Sequence, residues 1–263
     1  MVVASDRCRL EKLFVAYEVS DVGVDQGWSG PWNMEFRVGR NRLVLSAADA
    51  GGIDVCGVAP VRGFSWSQGQ RHRPGLYFMV STGRHHGFES LAEQRLLLAL
   101  DFAGAVRALV SQPLRLRSAA QAERRSHIPD FLAATDEGVW LFDVRPAERI
   151  GEAERTVFAA TAEAALAAGW SYRVVSGWRP QVLAGLDALA AQRLALPDPS
   201  GIAAGLVEQA GWGGRRFGEL AGAGADSGLR RAHLLHLVWS RRLGVDLAAP
   251  LGDASPVWVA GGR

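Results

Sequence analysis

Three acidic residues, Glu93, Asp130 and Asp143, lie among apolar neighbours in segments with helix or strand patterns. Phosphodiester hydrolysis needs an activated water and a cation that neutralises the charge developing on the phosphate, and divalent metals supply both. Mg²⁺ binds hard oxygen ligands, usually one or two carboxylates, with water and substrate phosphate completing an octahedron. The three carboxylates, together with the backbone carbonyl of Val144, therefore form a candidate metal site.

Arg145 follows Asp143 by two residues, so alternation along a strand places both side chains on one face. Arginine stays protonated and does not act as a base. We therefore expect Arg145 to orient water or to stabilise negative charge on the phosphate. A pattern of Asp-x12-Asp-x-Arg is common by chance, but one that begins with Pro129-Asp130 after a Glu-bearing helix is more specific.

Residues 88–102 have the composition of a helix, with five leucines. Glu89, Glu93, Leu97 and Leu100 share one stripe of this helix, so Glu93 lies at the edge of a buried face, where a carboxylate needs a partner or a metal. The alternative is that both glutamates are solvated first-turn residues favoured by the helix dipole. We favour Glu93 as the ligand because it lies deeper along the helix. The sequence alone does not decide between Glu93 and Glu89.

The elements around these residues predict an α/β fold with helices on a mixed sheet. Pro129 cannot donate a ladder hydrogen bond, so it marks an edge, bulge or strand start just before Asp130. An alanine-rich helix ends at Gly169, a common C-terminal signal. Strands are predicted over residues 13–19, 42–46, 106–117 (one long strand), 127–133, 139–145 and 170–176, and helices over residues 152–168 and 180–193.

Basic residues are unevenly distributed in a chain whose net charge is only +2. Residues 55–88 contain four arginines, three histidines and no acidic residue, with aromatic residues interleaved. Such a stripe is typical of a surface that contacts the phosphate backbone, although it could also be a solvated loop face. The DNA-binding residues that it predicts are Arg62, Arg71, Arg73, Arg84 and His85.

The length of 263 residues favours two or three small domains. We divide the chain into an N-terminal region, residues 1–58, to which no function is assigned, a nuclease domain, residues 59–195, and a C-terminal module, residues 200–263. Two cysteines without metal-ligand spacing favour a reducing compartment. No signal peptide or membrane-spanning run is apparent, so a cytoplasmic location is expected.

The C-terminal module shows three short helical patterns followed by a strand signal, which fits a winged-helix-like module. Its third helix is basic. These side chains could face DNA or a partner, or could form an ordinary solvated face. They are Arg230, Arg231, His233, His236, Arg241 and Arg242.

From about residue 60 to residue 176 the chain resembles the TnsA-like endonuclease subunits of heteromeric transposases, within the PD-(D/E)xK nuclease superfamily. The resemblance rests on four sequence segments: GRHHGFES at residues 83–90, SQP at 111–113, SHIPDF at 126–131 and DVRPA at 143–147. The lead-in PVRGFSW at residues 60–66 contributes as well, and a weaker likeness covers residues 247–254.

This resemblance implies a restriction-endonuclease-like core in which Glu93 is the helix carboxylate, Asp130 the central metal ligand and Asp143 the third acidic position. Arg145 stands where the superfamily usually has lysine. The implied cofactor is Mg²⁺, with Mn²⁺ as a substitute. The implied activity is cleavage of double-stranded DNA at the 5′ ends of a transposon, beside an integrase-type transposase subunit and an AAA+ ATPase regulator.

Two other functions remain open from the sequence. One is a repair or restriction-type nuclease with the same core. The other is a catalytically silent DNA-binding assembly subunit, which the arginine at position 145 and the C-terminal module would suit. An adjacent pair, His85-His86, lacks the helical spacing of a transition-metal site.

Overall fold

The computed structural model describes residues 10–19, 31–63, 73–118 and 126–261. Arg71, one of the predicted DNA-binding residues, lies outside these ranges. Within them the chain forms helices α1 Leu91–Ala103, α2 Glu152–Ala167, α3 Pro180–Ala190, α4 Ile202–Gly211, α5 Phe217–Ala221 and α6 Ser227–Trp239.

The strands of the described residues are mostly short. In chain order they are β1 Phe14–Tyr17, β2 Trp32–Val38, β3 Asn41–Ser46, β4 Val58–Ala59, β5 Gly75–Met79, β6 Arg84–Phe88, β7 Val106–Ser111, β8 Leu114–Ser118, β9 Ser126–His127, β10 Phe131–Thr135, β11 Gly138–Val144, β12 Ser171–Trp178, β13 Leu243–Gly244 and β14 Trp258–Val259.

The chain divides into two compact units. One, here called the sheet unit, comprises Ala16–Leu97 and Ala105–Gly177. The other, the helical unit, comprises Met1–Val15, Leu98–Gly104 and Trp178–Arg263. Helices and strands together make this a mixed α/β protein.

Among its described residues no helix combines the length and apolar character needed to cross a bilayer.

The main sheet is mixed, with the strand order β1-β12-β11-β10-β7. Strand β10 runs antiparallel to both β11 and β7, whereas β11 and β12 are parallel. Phe131 pairs with Phe142 at the start of β10, so Asp130 lies directly beside the end of β11 that carries Asp143. The register of these two strands thus brings two of the predicted acidic residues together.

A second sheet has the order β3-β2-β8-β9, with β4 also paired to β2. Its two longer strands come from the N-terminal region to which the sequence assigned no function. Apolar residues of this sheet, the main sheet and α2 form one buried core that includes Met34, Leu116, Leu132 and Phe158. Burial of this apolar surface is the main force that fixes α2 against the strands.

Helix α2 follows its sequence signals closely. Gly151 lies at its N-cap, and its N–H donates to the side chain of Glu154 at 3.1 Å. After the C-cap residue, Gly169 adopts a φ of +71°, a conformation that glycine reaches without strain. The predicted helix over residues 152–168 is confirmed, as is the predicted position of helix α1, although α1 begins at Leu91.

The predicted long strand over residues 106–117 is wrong. The chain breaks at Gln112-Pro113 into β7, which pairs with β10 in the main sheet, and β8, which pairs with β2 in the second sheet. Gln112 has a φ of +49°, and Pro113 has no N–H to donate. Two apolar strand patterns in direct succession therefore look continuous in the sequence, although they belong to different sheets.

The helical unit contains α3 to α6 and a two-stranded antiparallel sheet formed by β13 and β14. The basic side chains of α6 are largely engaged within this unit. Arg230 donates to the Leu220 carbonyl and to Gln209, Arg231 forms a two-point ion pair with Asp253, and the His236 ring bonds the carbonyl of Gln192. Three of the six basic residues therefore form hydrogen bonds or ion pairs within this unit, and Arg242 is exposed.

Candidate active site

A cavity of about 540 Å³ in the sheet unit collects the predicted catalytic residues. Its walls come from the start of α1, the segment before β10, the end of β11 and the start of α2. The charged and polar lining residues are Glu89, Ser90, Glu93, His127, Asp130, Asp143, Arg145, Arg149 and Glu154, together with Val144.

Asp130 is anchored by backbone contacts on both sides. Its N–H donates to the carbonyl of Phe142, and its own carbonyl accepts from the N–H of Gln112. Its side-chain oxygen Oδ2 accepts from the N–H of Val144 at 2.7 Å. The residue therefore lies where β7, β10 and β11 meet, and its orientation depends on all three.

Asp143 is almost completely buried, with 4% of its surface exposed. The His127 Nε2 atom lies 3.0 Å from both carboxylate oxygens, and the Tyr172 hydroxyl donates to Oδ2 at 2.7 Å. Burial, followed by the charge of Asp143, raises the pKa of Tyr172 well above its usual value. The tyrosine is therefore held as a protonated donor, and the carboxylate is fixed from two strands.

Glu93 closes a capping box at the start of α1. Its oxygens accept from the Ser90 hydroxyl at 2.8 Å and from the N–H of Glu89 at 2.7 Å, while its own N–H donates to Ser90 Oγ. These hydrogen bonds stabilise the start of α1, so Glu93 has a structural role. Its side chain is also buried, with 9% of its surface exposed. Glu89, just before the helix, also lines the cavity.

Arg62 connects the edge of the cavity to the break between β7 and β8. Its guanidinium contacts Glu89 at 2.6 Å, and its Nε donates to the side chain of Gln112 at 3.0 Å. Arg62 was predicted to bind DNA. Half of the Arg62 side chain is exposed, and its guanidinium group holds Glu89 and Gln112 in place.

Arg145 lies at the wall formed by α2. Its Nη2 atom donates to Glu154 Oε1 at 2.7 Å, and its Nε donates to the carbonyl of Arg149. The pKa of Glu154 is lowered chiefly by backbone hydrogen bonds and also by the Arg145 charge. Arg145 thus lines the same cavity as Asp143, but its guanidinium is held by Glu154.

The electrostatics of the cavity are dominated by negative charge. Removal from water, followed by the charges of Asp143, Glu93 and Glu89, raises the pKa of Asp130 well above its usual value, and only the Val144 N–H opposes this. Burial likewise raises the pKa of Glu93. The hydrogen bonds from the Glu89 N–H and from Ser90 oppose this rise, the Glu89 charge adds to it, and the Arg62 charge also opposes it. Mutual repulsion of this kind is relieved when a cation binds.

The donor chemistry fits a small hard cation such as Mg²⁺, because the cavity offers desolvated carboxylate oxygens that repel one another. In the described part of the chain, however, no three His, Cys, Asp or Glu side chains already form a metal-binding cluster. The residues that would hold the ion are therefore gathered around one cavity, while their side chains are directed toward partners in the protein.

The other predicted DNA-binding residues that the structure describes lie on or next to the β5–β6 hairpin. Arg73, Arg84 and His85 are all exposed, and the His85 ring lies 5.2 Å from that of Phe78. His86 points inward instead and bonds the Thr82 hydroxyl at 2.8 Å. The hairpin therefore presents positive charge to solvent, as a phosphate-contacting surface would.

The sequence did not identify four polar residues of the cavity lining, Ser90, His127, Arg149 and Glu154, nor did it identify Tyr172, the buried partner of Asp143. The Ser-x-x-Glu spacing of Ser90 and Glu93 is a capping-box signature that was readable from the sequence. The hydrogen bond from Tyr172 to Asp143 could not be predicted in this way, because it depends on the parallel register that pairs Asp143 with Val174 on β12.

No protein-family model matches this sequence, and a search of curated proteins gives no significant match.

Proposed function

We propose that this protein is a metal-dependent DNA endonuclease that hydrolyses phosphodiester bonds in the cavity of the sheet unit. One observation supports this most strongly. Glu93, Asp130, Asp143 and Arg145, chosen from the sequence for this chemistry, come from separate segments and line one cavity. Burial, followed by the charges of Asp143 and Glu93, raises the pKa of Asp130, which is consistent with a site that binds a divalent cation.

Each residue has a distinct role in this proposal. Asp130, Glu93 and Asp143 supply carboxylate oxygens, with the carbonyl of Val144 as a further ligand. Bound Mg²⁺, or Mn²⁺ in its place, would activate water and neutralise charge on the phosphate. Arg145, oriented by Glu154, stabilises the negative charge that grows on the phosphate oxygens.

The finer architecture and the partners also belong to this proposal. We interpret the sheet unit as a restriction-endonuclease-like core, and α4–α6 with the β13–β14 pair as a winged-helix-like module. DNA would approach along Arg73, Arg84 and His85. The chain would act as the subunit of a heteromeric transposase that cuts the 5′ ends of a transposon, with an integrase-type transposase subunit and an AAA+ ATPase.

A second candidate is a silent assembly subunit that binds DNA without cutting it. Specific contacts favour it: Glu93 closes a capping box, Asp143 is bonded to His127 and Tyr172, and Arg145 is paired with Glu154. If these contacts persist on DNA, the cavity is a structural network and no ion enters.

Replacing Asp130 with alanine separates these candidates. In the assembled complex with Mg²⁺ and end-labelled transposon-end DNA, we expect Asp130→Ala to abolish 5′-strand cleavage while DNA affinity stays nearly unchanged, because the exposed arginines remain. Equal loss of binding and cleavage would make Asp130 structural. Wild-type protein that binds but never cuts would support the silent subunit.

A further inference from the structure

The hydrogen bonds of Asp143 leave it little capacity for a metal ion. A carboxylate offers about four lone-pair positions, two on each oxygen. Oδ2 accepts from the Tyr172 hydroxyl at 2.7 Å and from His127 Nε2 at 3.0 Å, and Oδ1 shares the same His127 donor at 3.0 Å. The lone pair that remains is on Oδ1, so Asp143 can form a single ligand bond.

The other two carboxylates accept fewer hydrogen bonds than Asp143 does. Glu93 accepts a hydrogen bond on each oxygen, from Ser90 and from the N–H of Glu89. Asp130 accepts the N–H of Val144 on Oδ2, which leaves Oδ1 as its free oxygen. By the same count Glu93 keeps one position on each oxygen and Asp130 keeps three, so Asp143 is the carboxylate with the least capacity for a metal ion.

The number of oxygens that a carboxylate can offer matters differently to Ca²⁺ and to Mg²⁺. Ca²⁺ takes six to eight oxygen ligands at longer distances and often binds a carboxylate through both oxygens, whereas Mg²⁺ needs a compact octahedron and is usually held by one or two carboxylates and water. A carboxylate such as Asp143, which can form only one ligand bond, therefore suits Mg²⁺ better than Ca²⁺.

We propose that Tyr172, with His127, is a specificity-determining residue that limits Asp143 to one ligand bond and so sets a preference of the cavity for Mg²⁺ over Ca²⁺. Tyr172 does not touch the ion and acts through Asp143. Its position on β12 is fixed by the parallel pairing with β11, and its side chain is buried. The inference rests on the proposed metal-dependent function and adds to it the residue that selects the metal.

The test is calorimetric titration of the full chain with Mg²⁺ and, separately, with Ca²⁺. The readout is the ratio of the two dissociation constants, Ca²⁺ over Mg²⁺, which does not depend on cleavage. Tyr172→Phe removes one hydroxyl and frees a lone pair on Oδ2, so Ca²⁺ affinity should rise and the ratio should fall by about tenfold, the scale of one hydrogen bond to a charged group.

Tyr17→Phe is the matched control, because it removes a hydroxyl from the same residue type without removing a hydrogen bond to Asp143, and its ratio should equal that of wild type. His127→Ala is the second variant. It frees lone pairs on both oxygens and should shift the ratio in the same direction, which keeps the inference testable if Tyr172→Phe does not fold.

Two negative results have different meanings. A wild-type protein that prefers Mg²⁺, with the same ratio in Tyr172→Phe and His127→Ala, would overturn the inference alone. A wild-type protein that binds neither ion, or that binds both equally, would also overturn it. Failure to bind either ion would remove the proposed metal-dependent function at the same time.

Discussion

The cavity of the sheet unit and helix α6 of the helical unit handle charge in opposite ways. In the cavity, burial raises the pKa of Asp130, and the nearby carboxylates of Asp143, Glu93 and Glu89 raise it further. On α6, Arg231 is paired with Asp253, and Arg230 is bonded to the last turn of α5. Both regions looked functional in the sequence because they are rich in charge. The two regions therefore differ in how far their charges are balanced: carboxylates repel one another around Asp130, whereas the arginines of α6 have partners.

The largest effect that should sharpen this contrast is the loss of Arg145. Arg145→Ala should slow single-turnover 5′-strand cleavage by about two to three orders of magnitude, the scale of removing one transition-state donor. Arg145→Lys should retain appreciable activity, because an ammonium still neutralises phosphate charge. Rates are compared in the assembled complex with Mg²⁺. Equal rates for wild type and Arg145→Ala would exclude Arg145 from the mechanism.

Asp130→Asn should show that the cavity charge costs stability. The folded-state pKa of Asp130 is raised, so the folded protein holds this proton more tightly than the unfolded chain. The contribution of Asp130 to the free energy of unfolding is therefore full below the ordinary carboxyl pKa of 3.8 and is lost as pH rises through the raised value. Asparagine does not ionise and keeps an acceptor for the Val144 N–H.

At neutral pH without divalent ions we therefore expect the Asp130→Asn variant to melt at a higher temperature than wild type, with the difference vanishing in acid. Added Mg²⁺ should stabilise wild type more than the variant. Thermal denaturation at several pH values measures this, and Asp136→Asn, at an exposed ion pair with Arg107, is the control. A wild type that is more stable than Asp130→Asn at neutral pH would contradict the account.

The smallest effect is expected on α6. Arg230→Met removes the donors to the Leu220 carbonyl and should destabilise the protein by about 1–2 kcal/mol, the scale of leaving a partly buried acceptor unbonded. DNA cleavage should not change. Denaturant unfolding and the cleavage assay are compared in the same preparation. A strong loss of DNA affinity with normal stability would show that Arg230 contacts DNA, and the contrast between the two regions would fail.

The sequence was most informative where a signal is local. Helix α2 and its end at Gly169 follow from composition and a single glycine, and the acidic residues were chosen because carboxylates among apolar neighbours need a partner. The break at Gln112 could not be predicted in this way. A glutamine with a positive φ has no clear sequence signal, and only the pairing partners of β7 and β8 reveal two sheets.

Long-range contacts were also beyond the sequence. The bond from Tyr172 to Asp143 depends on which strand lies next to β11 and in what register, and the ion pair of Arg145 with Glu154 depends on where α2 begins relative to that strand. The contact between Ser90 and Glu93 differs from these, because the two residues are only three positions apart and the Ser-x-x-Glu spacing is itself a sequence signal for it.

The most direct measurement of the central claim is a crystal structure of the protein with transposon-end DNA and Mn²⁺, using anomalous scattering to locate the ion. The account predicts an anomalous peak in the cavity within ligand distance of Asp130 and at least one of Glu93 and Asp143, and loss of that peak in Asp130→Ala. An empty cavity whose carboxylates keep their bonds to Ser90, His127 and Tyr172 while DNA is bound would contradict it.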